Sequence, residues 1–317
     1  MSRAIRSLIN QTHSDFECIL INNNSRDKSL QIARYYAEKD SRIQIVNESV
    51  KGVVFASNTG FQQARGKFIA RMDADDEAYP ERLKLQADFL EHNPDYGAVS
   101  GFAEYVSTGQ TYKGLRKYVE WANSVATYQQ IKINRVIDSP VINPTAMWRR
   151  QTAEKHGMYS PGEFPEDYEM WLRWLKNGVK ISKVPYYILK WHDSHTRLTR
   201  TYSIYSDEAF YEIKTFYLTE WLTKNNPFHP HVTIWGASKI SRKRAVLLEK
   251  YGIIIDGYID IKTTRKLDKP LFYYRQIKQA GTQFILIYVR QWHAKEKIIQ
   301  YLQNLGYKAG ENFLIIS

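Results

Sequence analysis

Apolar and polar positions along the first hundred residues switch repeatedly between two periods. Short apolar runs, FECILIN (16–22), RIQIV (42–46) and KFIARM (67–72), read as strands. Between them apolar residues recur at helical spacing. A helix is expected near 2–12, with Ile5, Leu8 and Ile9 on one face, then others at 27–39 and near 53–65, the last opened by Gly52 and ended by Gly66. Pro80 suits the first turn of a helix that runs to His92, where NPDYG stops it and a strand, GAVSGF, follows. Strands alternating with helices of this length predict an α/β domain with a largely parallel sheet.

From about 103 to 225 the pattern is less regular and rich in Trp and Tyr. FPEDYEMWLRWLKNG predicts a helix that starts after Pro165 and ends at Asn177-Gly178, and a long amphipathic helix is expected near 203–224. NNPFHPH (225–231) is the candidate linker, giving domains at 1–225 and 231–317. After it a second α/β pattern begins. Strands are expected at HVTIWG, IIIDGYID, QFILIYV and NFLIIS, with helices at 239–250, near 273–279 and at 292–304.

Composition narrows the function classes. The 317 residues carry 43% hydrophobic side chains, enough for a sizeable core. The net charge of +12 favours anionic partners: nucleotides, phosphates, nucleic acid or an acidic membrane surface. The one cysteine, Cys18, lies in an apolar run and reads as a buried strand residue; alone it excludes an intrachain disulfide and cysteine-based zinc sites. No apolar run approaches the length of a membrane span, and no signal peptide is evident.

Against this basic background, ARMDADDEAYP (70–80) gathers three carboxylates directly after an apolar strand. In a parallel sheet ligands bind beyond the carboxyl ends of strands, which is where Asp73, Asp75 and Asp76 fall. Clustered carboxylates repel, and a hard divalent cation, Mg²⁺ or Mn²⁺, removes the conflict while sharing its remaining positions with phosphates. The alternative is a solvated acidic loop in which Asp76 or Glu77 caps the next helix.

The stretches SLINQTHSDFECILINNNSRDKSLQIARYYAEKDSRIQIV and KGVVFASNTGFQQARGKFIARMDADDEAYPERL resemble the N-terminal half of family 2 glycosyltransferases with the GT-A fold. The likeness is close over residues 3–100 and looser to about 202. It implies that Asp73 and Asp75 form an Asp-x-Asp pair holding the donor's ribose and the diphosphate-bound metal, with Asp75 as the usual metal ligand. It implies that Asn22 and Asn23 face the donor base, although the family often has acids there. A simple turn after the strand is the alternative for these two asparagines.

The resemblance extends to FPEDYEMW, where Asp167 matches the catalytic base and Glu166 is its neighbour, and to LKWHDSHTRLTR, where His192 matches a histidine that approaches the metal or the diphosphate. Helix-dipole stabilisation of an acid at a helix start is the alternative for Asp167. Arg197 and Arg200 are candidates for holding the diphosphate, or solvated cations.

The family's first strand, which precedes the helix opening this chain, has no counterpart here. A misassigned start, a truncation, and a strand supplied by another segment all remain open. A chain that truly starts at Met1 is expected to be weakly stable and little active. The C-terminal segment predicts a Rossmann-like domain with a poor fingerprint: Gly236 is present, but Ser238 and Ser241 stand where further glycines belong, with Asp260 at the end of the next strand.

The resulting expectation is an inverting glycosyltransferase with a GT-A domain and a smaller Rossmann-like domain. It would move a sugar from a nucleotide-diphospho-sugar, a UDP-sugar foremost, with Mn²⁺ or Mg²⁺, to a glycan or lipid-linked acceptor in bacterial envelope polysaccharide synthesis. The alternative is a catalytically impaired sugar-nucleotide or partner-binding module. The expected location is cytoplasmic, with peripheral association to the acidic inner membrane face as an option that the run SRKR (241–244) suits. Self-association through the C-terminal domain is a second option, and no nucleic-acid partner is expected.

Overall fold

A computed structural model describes residues 1–107, 112–193, 197–262 and 266–317. The chain forms two compact units, one of residues 1–132 and 139–205, the other of residues 133–138 and 206–317.

In the first unit, β1 (Cys18–Asn22) and β2 (Ile43–Asn47) pair in parallel as a two-stranded sheet. The helix Ser2–Ile9 buries Ile5 against Cys18 and Ile43. Cys18 is therefore a core residue, as its apolar run suggested, and burial pushes its thiol up to about 12. The second sheet contains β3 (Phe68–Ala70), β4 (Glu77–Ala78), β5 (Tyr96–Ser107), β6 (Met147–Arg149) and β7 (Lys180–Asp193), in the order β3-β6-β5-β7-β4.

This sheet differs from the expected, largely parallel one. β5 and β7 are parallel, but β6 runs antiparallel to both β3 and β5, and β4 runs antiparallel to β7. The chain returns from β5 through two helices, Lys113–Ser124 and Tyr128–Asn134, and a one-turn 3-10 helix at Asn143–Thr145 containing Pro144 leads directly into β6. Gly101 allows β5 to lie against β7: a Cβ there would meet Ile188 Cδ1 at 2.6 Å.

The helix Glu166–Lys176 is set by its sequence. Pro165 caps it, Glu166, Asp167 and Glu169 fill its first turn, and Arg173 and Lys176 its last, matching the macrodipole at both ends. Its inner face carries Trp171 and Trp174, which meet Trp148 of β6 edge to face at ring separations of 6.0 Å and each other at 5.4 Å. All three indoles are essentially without solvent contact, and they fix where the acidic first turn points.

In the second unit, β8 (His231–Trp235), β9 (Ile254–Asp260), β10 (Leu271–Tyr273), β11 (Ile285–Ile287) and β12 (Phe313–Ile315) form an all-parallel sheet in the order β10-β9-β8-β11-β12. The helix expected near 273–279 is instead β10 followed by a 3-10 turn, because Leu271–Tyr273 extend the sheet along Tyr258–Asp260. The long amphipathic helix runs Asp207–Asn225, capped by Ser206, whose Oγ accepts from Ala209 N at 3.2 Å. It packs Tyr211, Leu218 and Leu222 into the core formed by Val232, Ile234 and Phe284. The units thus divide at 205/206, ahead of the turn-rich 225–231 segment.

The Gly turn after β8 is closed by its own side chains. Gly236 has φ of 125°, Ser241 Oγ donates to Tyr288 O at 2.9 Å, and Asp260 Oδ2 accepts from Ala237 N at 3.3 Å. In the SRKR run, Lys243 and Arg244 pair with Glu208 and Asp207 at 3.1 and 2.6 Å.

Replacing Trp171 with Ala leaves an aromatic-sized void in a packed triad. It is expected to cost about 3–5 kcal/mol of stability, read from the midpoint of chemical unfolding. A loss below about 1 kcal/mol would show that the triad does not hold the helix.

Candidate active site

β3 runs to Ala70, and Arg71 N extends its pairing with β6 by one more bond, donating to Ala146 O at 2.9 Å. The chain then folds into a tight turn, with Asp76 N donating to Asp73 O at 3.3 Å. Carboxylate oxygens of Asp73, Asp75 and Asp76 lie within 4.8 Å of one another. Asp75 is exposed, Asp73 half-buried and Asp76 fully buried.

Two arginines hold this turn from behind. Arg71 donates to Asp73 Oδ1 at 2.9 Å through Nε and to Ser57 Oγ at 2.6 Å through Nη1. Arg82, itself buried, reaches Arg71 O at 2.5 Å and Gln86 Oε1 at 3.1 Å. Burial lowers its pKa to about 10, so it stays charged at neutral pH. Asp76 Oδ1 accepts from His192 N at 2.9 Å, while its Oδ2 is buried without a partner among the described residues. Desolvation, then Asp73, then Asp75 push the Asp76 carboxyl up to about 8. A buried, orphaned oxygen among hard carboxylate ligands suits a divalent cation.

The structure brings the helix start at Glu166 to the same place. Glu166 Oε2 accepts from the Tyr205 hydroxyl at 2.8 Å, and Asp167 Oδ1 from Tyr168 N at 2.7 Å. Burial raises the pKa of Glu166, opposed by Tyr205 and Arg71. Burial and the Glu166 charge push Asp167 up to about 7, with Asp73 adding to the rise and the Tyr168 N–H and Arg71 opposing it. The two carboxyls interact, and Asp167 is brought into the range in which a general base works best.

The other residues singled out in the sequence are placed as follows. Asn23 spends its amide on the loop after β2, donating to Glu48 O at 3.0 Å and Val50 O at 2.7 Å and accepting from Gly52 N at 2.7 Å. Asn22 donates to Asn47 Oδ1 at 2.9 Å, and its own Oδ1 receives only a long 3.4 Å contact from Ser25 N among the described residues. His192 does not join the acidic group. Its Nε2 lies 3.7 Å from Glu77 Oε2, and burial lowers its pKa, keeping the ring neutral.

Arg197 stacks on Trp191 at 3.8 Å, and Arg200 pairs with Asp193 at 2.8 Å. Residues 194–196 of the Ser-rich loop lie outside the described residues.

Sequence reasoning placed Asp76 with Asp73 and Asp75 in the strand-end cluster but left it out of the named metal ligands, and it passed over Arg71, Arg82 and Tyr205. A basic residue one turn before and another one turn after an acidic triplet was the available signal for the arginines. Tyr205 had none, because its partner lies 39 positions away in the chain.

Asp76 gives a pH test. Unfolded it titrates near 3.8, folded near about 8. Between these values the folded chain holds the extra proton, so this group's contribution favours folding in acid and is lost as pH rises toward 8. Asp76→Asn is expected to remove that slope from the thermal midpoint. Millimolar Mn²⁺ is expected to stabilise the wild type more at about pH 8.5 than at about pH 6, because the cation needs the ionised form. Equal stabilisation at both pH values would count against a cation at these carboxylates.

Residues 1–157 match the family described as Glycosyl transferase family 2. An uncharacterized glycosyltransferase of Methanocaldococcus jannaschii is 27% identical over 242 residues, covering 74% of this chain and 79% of that one. The O-antigen biosynthesis glycosyltransferase WbnJ of Escherichia coli is 28% identical over 228 residues, covering 70% and 83%. Among solved structures, S. aureus TarS 1–349 in complex with UDP-GlcNAc aligns with a TM-score of 0.55 at 19% identity, over 78% of this chain and 66% of that one, a likeness of fold. Among the described residues no helix is long and apolar enough to cross a membrane. Residues 1–157 belong to glycosyltransferase family 2, on a fold shared with GT-A-type transferases.

Proposed function

We propose that the chain is an inverting, metal-dependent glycosyltransferase that moves a sugar from a nucleotide-diphospho-sugar, a UDP-sugar foremost, to a glycan or lipid-linked acceptor in envelope polysaccharide synthesis. One observation carries this reading: a cation-suited carboxylate cluster stands beside a buried carboxyl pair in which Asp167 is pushed up to about 7. The O-antigen biosynthesis of the Escherichia coli relative fits the acceptor class.

Asp75 and Asp73 would hold Mn²⁺ or Mg²⁺ with Asp76, in place of His192. The bound cation supplies charge neutralisation for the leaving diphosphate. Asp167 takes the proton of the acceptor hydroxyl. That oxygen bonds to the anomeric carbon from the face opposite the diphosphate, and the bond from that carbon to the diphosphate oxygen breaks, the nucleoside diphosphate leaving with the electron pair. Glu166, held by Tyr205, keeps a second negative charge beside Asp167 and so keeps its basicity high. Asn22 retains accepting capacity for a base N–H at the carboxyl end of β1. Asn23 organises the loop on which that base would rest. Work at the inner membrane face would suit the net charge of +12.

Asp167→Asn is expected to keep UDP-sugar binding and lose roughly 10²–10⁴-fold in kcat, the range for a general base. In the wild type kcat/KM should rise with pH and level off above about 7, because the base must be ionised. Asp75→Asn should abolish the response of turnover to Mn²⁺. Full metal-dependent turnover in that variant would remove Asp75 as a ligand, and UDP binding by the wild type with no turnover would leave a binding module.

A further inference from the structure

Beside the acidic turn the first unit has an open cleft of about 420 Å³ whose walls include Tyr79, Glu104, Tyr105, Arg116, Glu120 and Tyr187. We propose that this cleft binds the saccharide of the acceptor. The proposal rests on the transferase reading above and adds a place for the substrate that reading leaves unplaced.

The walls carry two kinds of group. Tyr187 is 56% exposed on β7 and leaves its ring open to the cleft. Its ring meets Phe102 edge-on at 5.9 Å, which holds it upright. Tyr105 and Tyr79 add further rings. Between the rings stand exposed Glu104 and Glu120, which accept hydrogen bonds, and exposed Arg116, which donates them.

A pyranose presents the complementary surface. Its C–H face carries slight positive charge and lies on the negative face of an aromatic ring. Its hydroxyls both donate and accept, so they need acceptors and donors side by side. Two carboxylates in the cleft disfavour a phosphate-bearing ligand, and the exposed charges disfavour an apolar one.

A run of contacts joins the cleft wall to the acidic turn. His192 N is bonded to Asp76 at 2.9 Å, and the His192 ring lies 3.7 Å from Glu77. Glu77 pairs with Lys190 at 3.1 Å, and the Lys190 ammonium sits 5.4 Å from the centre of the Tyr79 ring. The Tyr79 hydroxyl donates to Glu104. Glu77 and Glu104 both face Lys190 in register, so all three share one side of the sheet. Tyr79 follows Asp76 by three residues, at most about 11 Å of extended chain, so a saccharide lying on these rings can bring one end to the acidic turn.

The wall is built rather than incidental. Asn123 donates to Ala103 O at 2.9 Å and accepts from Ala103 N at 3.0 Å, where β5 shifts register against β7. That shift sets Glu104 beside the helix Lys113–Ser124, which supplies Arg116 and Glu120.

The test applies the full chain to an array of purified bacterial surface polysaccharides and their oligosaccharide fragments, followed by titration of each retained glycan. The wild type should retain a defined subset of these glycans. Tyr187→Ala and Glu120→Gln, both at exposed positions, should weaken their Kd by roughly three- to tenfold each. Retention of no glycan by the wild type, or equal Kd for the wild type and Tyr187→Ala, would overturn the proposal. Hydrolysis of UDP-sugar by the wild type with Mn²⁺ is measured alongside. Hydrolysis without glycan retention sinks the cleft and spares the transferase. Tyr187-dependent retention without hydrolysis does the reverse and leaves a glycan-binding protein.

Discussion

Three carboxylates held within 4.8 Å of one another, one of them fully buried, are costly to keep ionised, and much of the first unit is arranged around that cost. Arg71 and Arg82 approach from the core side and neutralise part of the charge, while the turn's own backbone bond fixes the spacing. What the arginines do not offset appears as the raised pKa of Asp76 and as its orphaned oxygen. A group that is strained in this way gains most from a ligand that removes the strain, and a divalent cation bridging to phosphate does so.

The same field reaches the opposite wall. Asp73 helps raise Asp167, and Arg71 opposes the rise, so ligation at the acidic turn and basicity at the helix start are electrostatically linked. The packing that sets this distance is apolar. The Trp148, Trp171 and Trp174 triad anchors the helix whose first turn carries the pair, which leaves the acids little freedom to relax apart.

The second unit has the all-parallel sheet, with its glycine turn closed by side chains. Ser241 and Asp260 spend their polar atoms inside the Gly236 loop, and Gly236 itself faces Ser241 Oγ at 3.1 Å from where a Cβ would stand. The basic run that follows is drawn into ion pairs with the helix Asp207–Asn225. Its charge is thereby partly spent within the unit.

Strand and helix order, the position of the acidic turn at a strand end, the acidic helix start after Pro165 and the buried state of Cys18 were legible in the sequence, because period, capping and local apolarity are properties of neighbouring residues. The antiparallel turns of β4 and β6, the burial of Asp76 beside Asp73 and Asp75, the loop-bound amide of Asn23 and the union of Tyr79, Glu104 and Tyr187 in one cleft were decided by the tertiary structure alone. Each depends on groups far apart in the chain meeting across a sheet, and on desolvation, which a residue acquires only when the rest of the chain closes over it.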